Sequence, residues 1–211
     1  MKSTPCVVSV AEHAGWAHVL CVSASTHVPA VIERRRVTLI DAGLPTMPYH
    51  HESLGMHVDE ADALIARVRR SIAACATRAL REVVTDLAPA YSVAALAIRE
   101  PTFPELPATV AVVRRSYRLQ CAADGMMYQL ALCHAARDLG LDVHQCRRDE
   151  EVGEAAERLG VRAVEIESFV SGAGRPPGPP WTQEHRRAFA AGIAALAAPP
   201  ARRRLTIRQG R

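Results

Sequence analysis

The sequence predicts an α/β fold around a mixed five-stranded sheet, on three observations. Three apolar strand-like runs open the chain with short connections, the arrangement of antiparallel strands in one sheet. Helix, strand, helix, strand and helix then follow in turn, and helical crossovers make the last two strands parallel additions to that sheet. The chain has 211 residues and is 49% apolar, enough for one sizeable core and short for two ordinary domains. We therefore expect one domain over residues 1–198 and a basic tail at 199–211.

Residues 6–12 (CVVSVAE) are a continuous apolar run closing on an acid, as in a strand buried on both faces. His13-Ala14-Gly15 is a tight connection to a second strand at 16–23 (WAHVLCVS), and residues 30–40 alternate as a third, with Arg34 and Arg36 on one face. Residues 41–57 hold two prolines and two glycines, so an inserted loop without a regular element is expected. Asp59-Glu60 open a long helix carrying Leu64, Val68, Ile72, Cys75, Ala79 and Val83 at three- and four-residue steps, ending near Asp86. Residues 91–98 (YSVAALAI) are the fourth strand. Prolines at 101, 104 and 107 delay the next helix, expected over about 108–120 and again over 126–139, with Gly140 as its stop. Residues 141–146 form a short fifth strand, and 149–159 and 162–170 short helices. The run SGAGRPPGPP at 171–180 reads as a linker. Thr182 then caps a final helix from Gln183 to about Ala197.

The net charge is +4, and arginines recur in clusters: 34–36, 69–70, 114–115 with 118, 147–148, 186–187 and 202–204. Guanidinium groups suit bidentate phosphate contact and point to a polyanionic partner. The same Arg-rich, Ala-rich composition, with Lys2 the only lysine, is equally what GC-rich coding produces. The six cysteines are scattered with no C-x-x-C pair, so buried structural thiols are expected rather than a zinc knuckle or disulfides. No run approaches the length of a membrane span and the start lacks a secretory pattern, so a cytoplasmic protein without a membrane partner is expected. Phosphate-loop and nucleophile-elbow motifs are absent, and Gly172-Ala173-Gly174 opens no helix after a strand. Aromatic residues make up 4%, too few for a base-stacking platform.

Glu12 closes the first strand and Glu100 the fourth. If those strands are parallel neighbours, both carboxylates emerge at one sheet edge, where oxygen ligands suit Mg²⁺ or Mn²⁺ and phosphodiester chemistry. Here the chain resembles the RuvC-type Holliday-junction resolvases of the RNase H-like superfamily. Glu12-His13-Ala14-Gly15-Trp16 is similar to their acid-ended first strand and following glycine, and Ala97-Ile98-Arg99-Glu100 to the Glu ending their fourth. The stretch from Gln120 to Gly125, on through His134-Ala135-Ala136 to Gly140-Leu141-Asp142-Val143-His144, resembles their small-residue helix and next strand. His185-Arg186-Arg187-Ala188-Phe189-Ala190-Ala191 fits their last helix.

The resemblance implies an RNase H-like topology, and a metal-dependent nuclease of structured DNA or RNA acting as a homodimer. Glu12, Glu100 and His185 would be its catalytic and metal-binding residues. Arg114, Arg115, Arg118, Arg186, Arg187, Arg202, Arg203 and Arg204 would hold nucleic acid. Three departures stand out: Glu12 where these nucleases carry Asp, Ala188 where a second acid is expected, and the added 41–57 loop. They keep a second reading open, a non-catalytic RNase H-fold module that binds nucleic acid or protein. Glu12 and Glu100 are also ordinary solvated strand-end acids, and His185 an ordinary cap, with Glu184 as a backup ligand. His50-His51-Glu52 with His57 lacks H-E-x-x-H spacing but offers a third reading, a zinc-dependent small-molecule hydrolase.

Overall fold

Residues 3–24, 28–101, 105–173, 178 and 180–198 are described by the computed structural model. Among them are strands β1 (Thr4–His13), β2 (Trp16–Ser23), β3 (Ala30–Thr38), β4 (Tyr91–Arg99) and β5 (Asp142–Cys146). The helices are α1 (Val58–Leu87), α2 (Val110–Val113), α3 (Tyr117–Asp138), α4 (Glu151–Leu159), α5 (Ala163–Gly172) and α6 (Gln183–Ala197). The sheet order is β3-β2-β1-β4-β5. β1–β2 and β2–β3 are antiparallel; β1–β4 and β4–β5 are parallel. This is the mixed five-stranded sheet that the element order predicts, with the parallel pairs produced by the α1 and α3 crossovers.

Strand alternation assigns the two faces. Cys6, Val8 and Val10 of β1, Ala17, Val19 and Cys21 of β2, and Leu96 and Ile98 of β4 join α1 and α3 in the larger core. Leu20 and Val22 pack with Phe189, Ile193 and the α4–α5 pair, while Val7, Ala95 and Ala97 meet Ala191 and Ala195 of α6. Small residues let α6 lie close. Ser9 Oγ donates a hydrogen bond to the Ala188 carbonyl, and a Cβ at Gly192 would stand 2.6 Å from Val22 Cγ2 and 3.3 Å from Ser9 Cβ.

Three expectations change. The helix foreseen in two pieces breaks earlier than expected, between Val113 and Tyr117, and α3 runs on through Gly125, because buried Ala123, Met127, Leu132 and Ala136 around it fasten the segment to the core. Ser171 and Gly172, read as linker, finish α5. The 41–57 segment contains a 3-10 turn at Glu52–Gly55 and is firmly anchored. Tyr49 is 2% exposed, and the backbone N–H groups of Tyr49 and His50 each donate to an Asp124 carboxylate oxygen at 3.0 Å. Tyr128 Oη donates to the Thr46 carbonyl, and Arg69 donates to Tyr49 Oη at 2.7 Å. The Asp41 carboxylate accepts from Ser71 Oγ on α1 at 2.7 Å. The tail at 199–211 lies outside the described residues. All six cysteines are free, five of them buried. Among the described residues no helix is long and apolar enough to cross a membrane.

Candidate nucleic-acid interface

At the C-terminal ends of β1 and β4 lies a cleft of about 110 Å³, walled by the β5–α4 connection and α6. Its charged lining is Glu12, Arg99, Arg148, Glu151, Glu184 and Arg187, with Ala188 and Ala191 at its base. Glu184, Arg187, Ala188 and Ala191 recur at three- and four-residue steps, so one stripe of α6 faces the cleft.

Glu12 shares the parity of Val10 and therefore leans toward the α3 layer, where Gln129 Nε2 donates to its Oε1 at 2.7 Å. Arg99 has the parity of Ala97, on the α6 side, and reaches around to the same Oε1 with Nη2 at 2.6 Å. The Glu12 side chain is 5% exposed and that of Arg99 34%. The first candidate carboxylate is thus neutralised inside the cleft by a cation from the adjacent strand.

Glu100 does not line the cleft. Its side chain is 52% exposed and its Oε2 lies 3.9 Å from Arg147 Nε. His185 is 1% exposed and turned toward β2: its ring lies 4.1 Å from that of His18 and 5.5 Å from that of Trp181. Its Nδ1 accepts from the Thr182 backbone N–H at 3.2 Å and stands 2.7 Å from Thr182 Oγ1, closing a capping box. The structure brings Glu12 and the backup candidate Glu184 to the cleft and leaves Glu100 and His185 outside it.

Of the candidate phosphate-binding arginines, Arg114 donates to the carbonyls of Leu54 at 2.7 Å and Met56 at 3.0 Å, tying α2 to the inserted segment. Arg115 and Arg118 are exposed beside it, and Arg186 is half-buried on α6. Arg187 pairs with Asp149 at 2.5 Å, while Arg202, Arg203 and Arg204 lie outside the described residues. Sequence reasoning named Arg148 only within the 147–148 cluster and did not pick out Arg99. Strand parity alone did not reveal Arg99, since Ala97 is as buried as Leu96 and Ile98, and Glu12, with the parity of Glu100, still lines the cleft.

No family model matches the sequence, and a comparison with curated proteins finds no match. Among solved structures, the chain is similar to Thermus thermophilus RuvC in complex with a Holliday junction substrate. That match has TM-score 0.51 and 13% identity, and covers 91% of this chain and 92% of that one. A second Thermus thermophilus RuvC structure gives TM-score 0.51 and 12% identity, covering 91% and 93%. The fold is RuvC-like.

The resemblance implies Mg²⁺ or Mn²⁺, so the cleft of this RuvC-like fold must be tested for a magnesium donor set. It does not fit one. Its carboxylates Glu12, Glu151 and Glu184 do not bring three ligand atoms within 4.8 Å of one another. Glu12 Oε1 already takes two donors, Glu184 Oε2 lies 3.0 Å from His13 Nε2, and Ala188 offers no ligand atom. Among the described residues, the one group of three His, Cys, Asp or Glu ligand atoms lying within 4.8 Å of one another is His144, Cys146 and Glu154, of which only Cys146 also lines the cleft.

The burial of His185, and secondarily the nearby His18, push its pKa down to about 4, against an ordinary 6.5. A depressed histidine contributes stability that is full above pH 6.5 and is lost as pH falls toward 4, because the unfolded chain binds the proton first. Asp124, pushed up to about 6 by burial, acts in the opposite sense: its contribution is greatest below pH 3.8 and declines as pH rises to about 6. His185→Gln keeps an acceptor for the cap and removes the titration. Denaturant unfolding of both proteins between pH 4 and 7 should therefore give a difference curve in which the variant gains roughly 2–3 kcal/mol relative to wild type at the acid end. A flat difference would mean that the ring is not held neutral.

Proposed function

We propose that this protein is a RuvC-fold nucleic-acid-binding module that holds structured nucleic acid without cleaving it. The observation that carries this reading is the Arg99–Glu12 pair at 2.6 Å: the carboxylate a nuclease would present to metal is bound to a guanidinium instead. Ala188 and the inward-turned His185 support it further. Against the carboxylates of Glu12, Glu151 and Glu184 the cleft sets the three guanidinium groups of Arg99, Arg148 and Arg187, and the net charge of +4 over the whole chain favours a polyanion. Their partners Glu12 and Asp149 moderate the attraction, so affinity should come from several spaced contacts rather than one deep site. The similar structure of RuvC with a Holliday junction makes a branched DNA the first ligand to try.

The nuclease reading would need Glu12 released from Arg99 and further ligands supplied by the cleft carboxylates Glu151 and Glu184 or by Glu100 and His185. Incubating the protein with a four-way junction and with linear duplex, in Mg²⁺ and then in Mn²⁺, separates the two. Retarded but uncut junction is the expected result; strand scission that disappears in Glu12→Gln would establish the nuclease instead.

A further inference from the structure

We propose a zinc site at the sheet edge, built from His144 and Cys146 of β5 and Glu154 of α4. Residues two apart on a strand point to the same face, so His144 and Cys146 project together toward α4. One ligand atom from each of the three residues lies within 4.8 Å of the others. The group is sheltered: Cys146 is 0% exposed, and the side chains of His144 and Glu154 are 15% and 24% exposed. His144 Nε2 is buried and makes no hydrogen bond although Glu154 Oε1 lies 3.2 Å away, which leaves a ligand atom turned toward the other two and unsatisfied.

Sulfur, imidazole nitrogen and carboxylate oxygen together form a borderline-soft donor set that suits Zn²⁺ and not Mg²⁺. Tetrahedral zinc holds such atoms about 3.3–3.7 Å apart, so the three need only draw in by about 1 Å. Arg158 grips Glu154 Oε1 with Nε at 3.0 Å and Nη2 at 2.7 Å, and the carboxylate can keep that fork while a second oxygen turns to the metal. Binding displaces the Cys146 thiol proton to solvent, and water fills the fourth position. The ion would tie the edge strand to the next helix and brace the intervening connection that carries Arg148 into the cleft.

Co²⁺ titration of the full chain tests this independently of the proposed function, since its readout needs no nucleic acid. One Co²⁺ per chain is expected, with thiolate-to-cobalt charge-transfer absorption that is displaced by equimolar Zn²⁺ and untouched by Mg²⁺. Cys146→Ser should abolish that absorption, and Glu154→Gln, which spares the buried thiol, should weaken binding about tenfold or more. Absence of stoichiometric binding in the wild type would overturn the site. Binding without a thiolate band would move the ion to other ligands such as the His50-His51 segment, and a band that survives Cys146→Ser would move it to another of the free cysteines; either would overturn the site.

Discussion

Arg99→Ala is expected to destabilise the fold by about 2–3 kcal/mol, a fall of roughly 4–12 °C in Tm, because it strands the Glu12 carboxylate. Glu12 is 5% exposed, and with Arg99 removed only the neutral Gln129 donor would remain on its Oε1. A buried charge that loses its partner costs more than the pair contributed, since its desolvation is no longer offset. The value sits below that of a fully buried pair because water already reaches Arg99, a third of which is exposed. Glu12→Gln should cost less, about 1 kcal/mol, as the guanidinium left behind can turn outward. The double variant should recover most of the loss, and thermal unfolding of all four proteins measures the coupling. Equal, independent effects would mean that the pair is incidental and the cleft carboxylate freer than its geometry implies.

Gly192→Val should be more damaging still, by about 3 kcal/mol or more. A Cβ at this position meets Val22 Cγ2 at 2.6 Å and Val22 Cβ at 3.2 Å, so α6 would have to lift from β1 and β2. Gly192→Ala should also destabilise, by about 1–3 kcal/mol, although alanine is the better helix former by about 1 kcal/mol. Gly125 is the control. Nothing lies within 4 Å of its added Cβ, so Gly125→Ala should stabilise α3 by about 0.5–1 kcal/mol. Trimming Val22 to alanine should relieve much of the Gly192→Ala penalty, a compensation readable in chemical denaturation. Equal effects at the two glycines would refute close docking of α6.

The sheet was legible because its signals are local. The tight turn at Gly15, the apolar strands and the Thr182 cap each act over a few residues, and α6 spans Gln183–Ala197, the bounds read from its sequence. The cleft was legible only in part. Glu12 and Glu100 both end strands, yet the sequence cannot say which donors a strand-end acid will meet, and the Glu12 partners come from Arg99 and from Gln129 on α3. His185 lies one residue from Glu184, about 100° around the helix, which separates a cap under Trp181 from the cleft-facing stripe. The 41–57 segment reads as a free loop because Asp124, which receives its backbone N–H groups, lies more than 70 residues away. His144 and Cys146 can be paired by strand period alone; the way α4 crosses them, and so Glu154, cannot.

Binding of a four-way DNA junction in Mg²⁺ across a series of salt concentrations, with the DNA strands checked for integrity afterwards, tests the central claim most directly. Wild-type protein should bind with affinity that falls as salt rises and leave every strand intact. Arg148→Ala and Arg187→Ala should each reduce the log–log salt slope by about one. Magnesium-dependent scission, or binding indifferent to salt and to both arginines, would contradict the account.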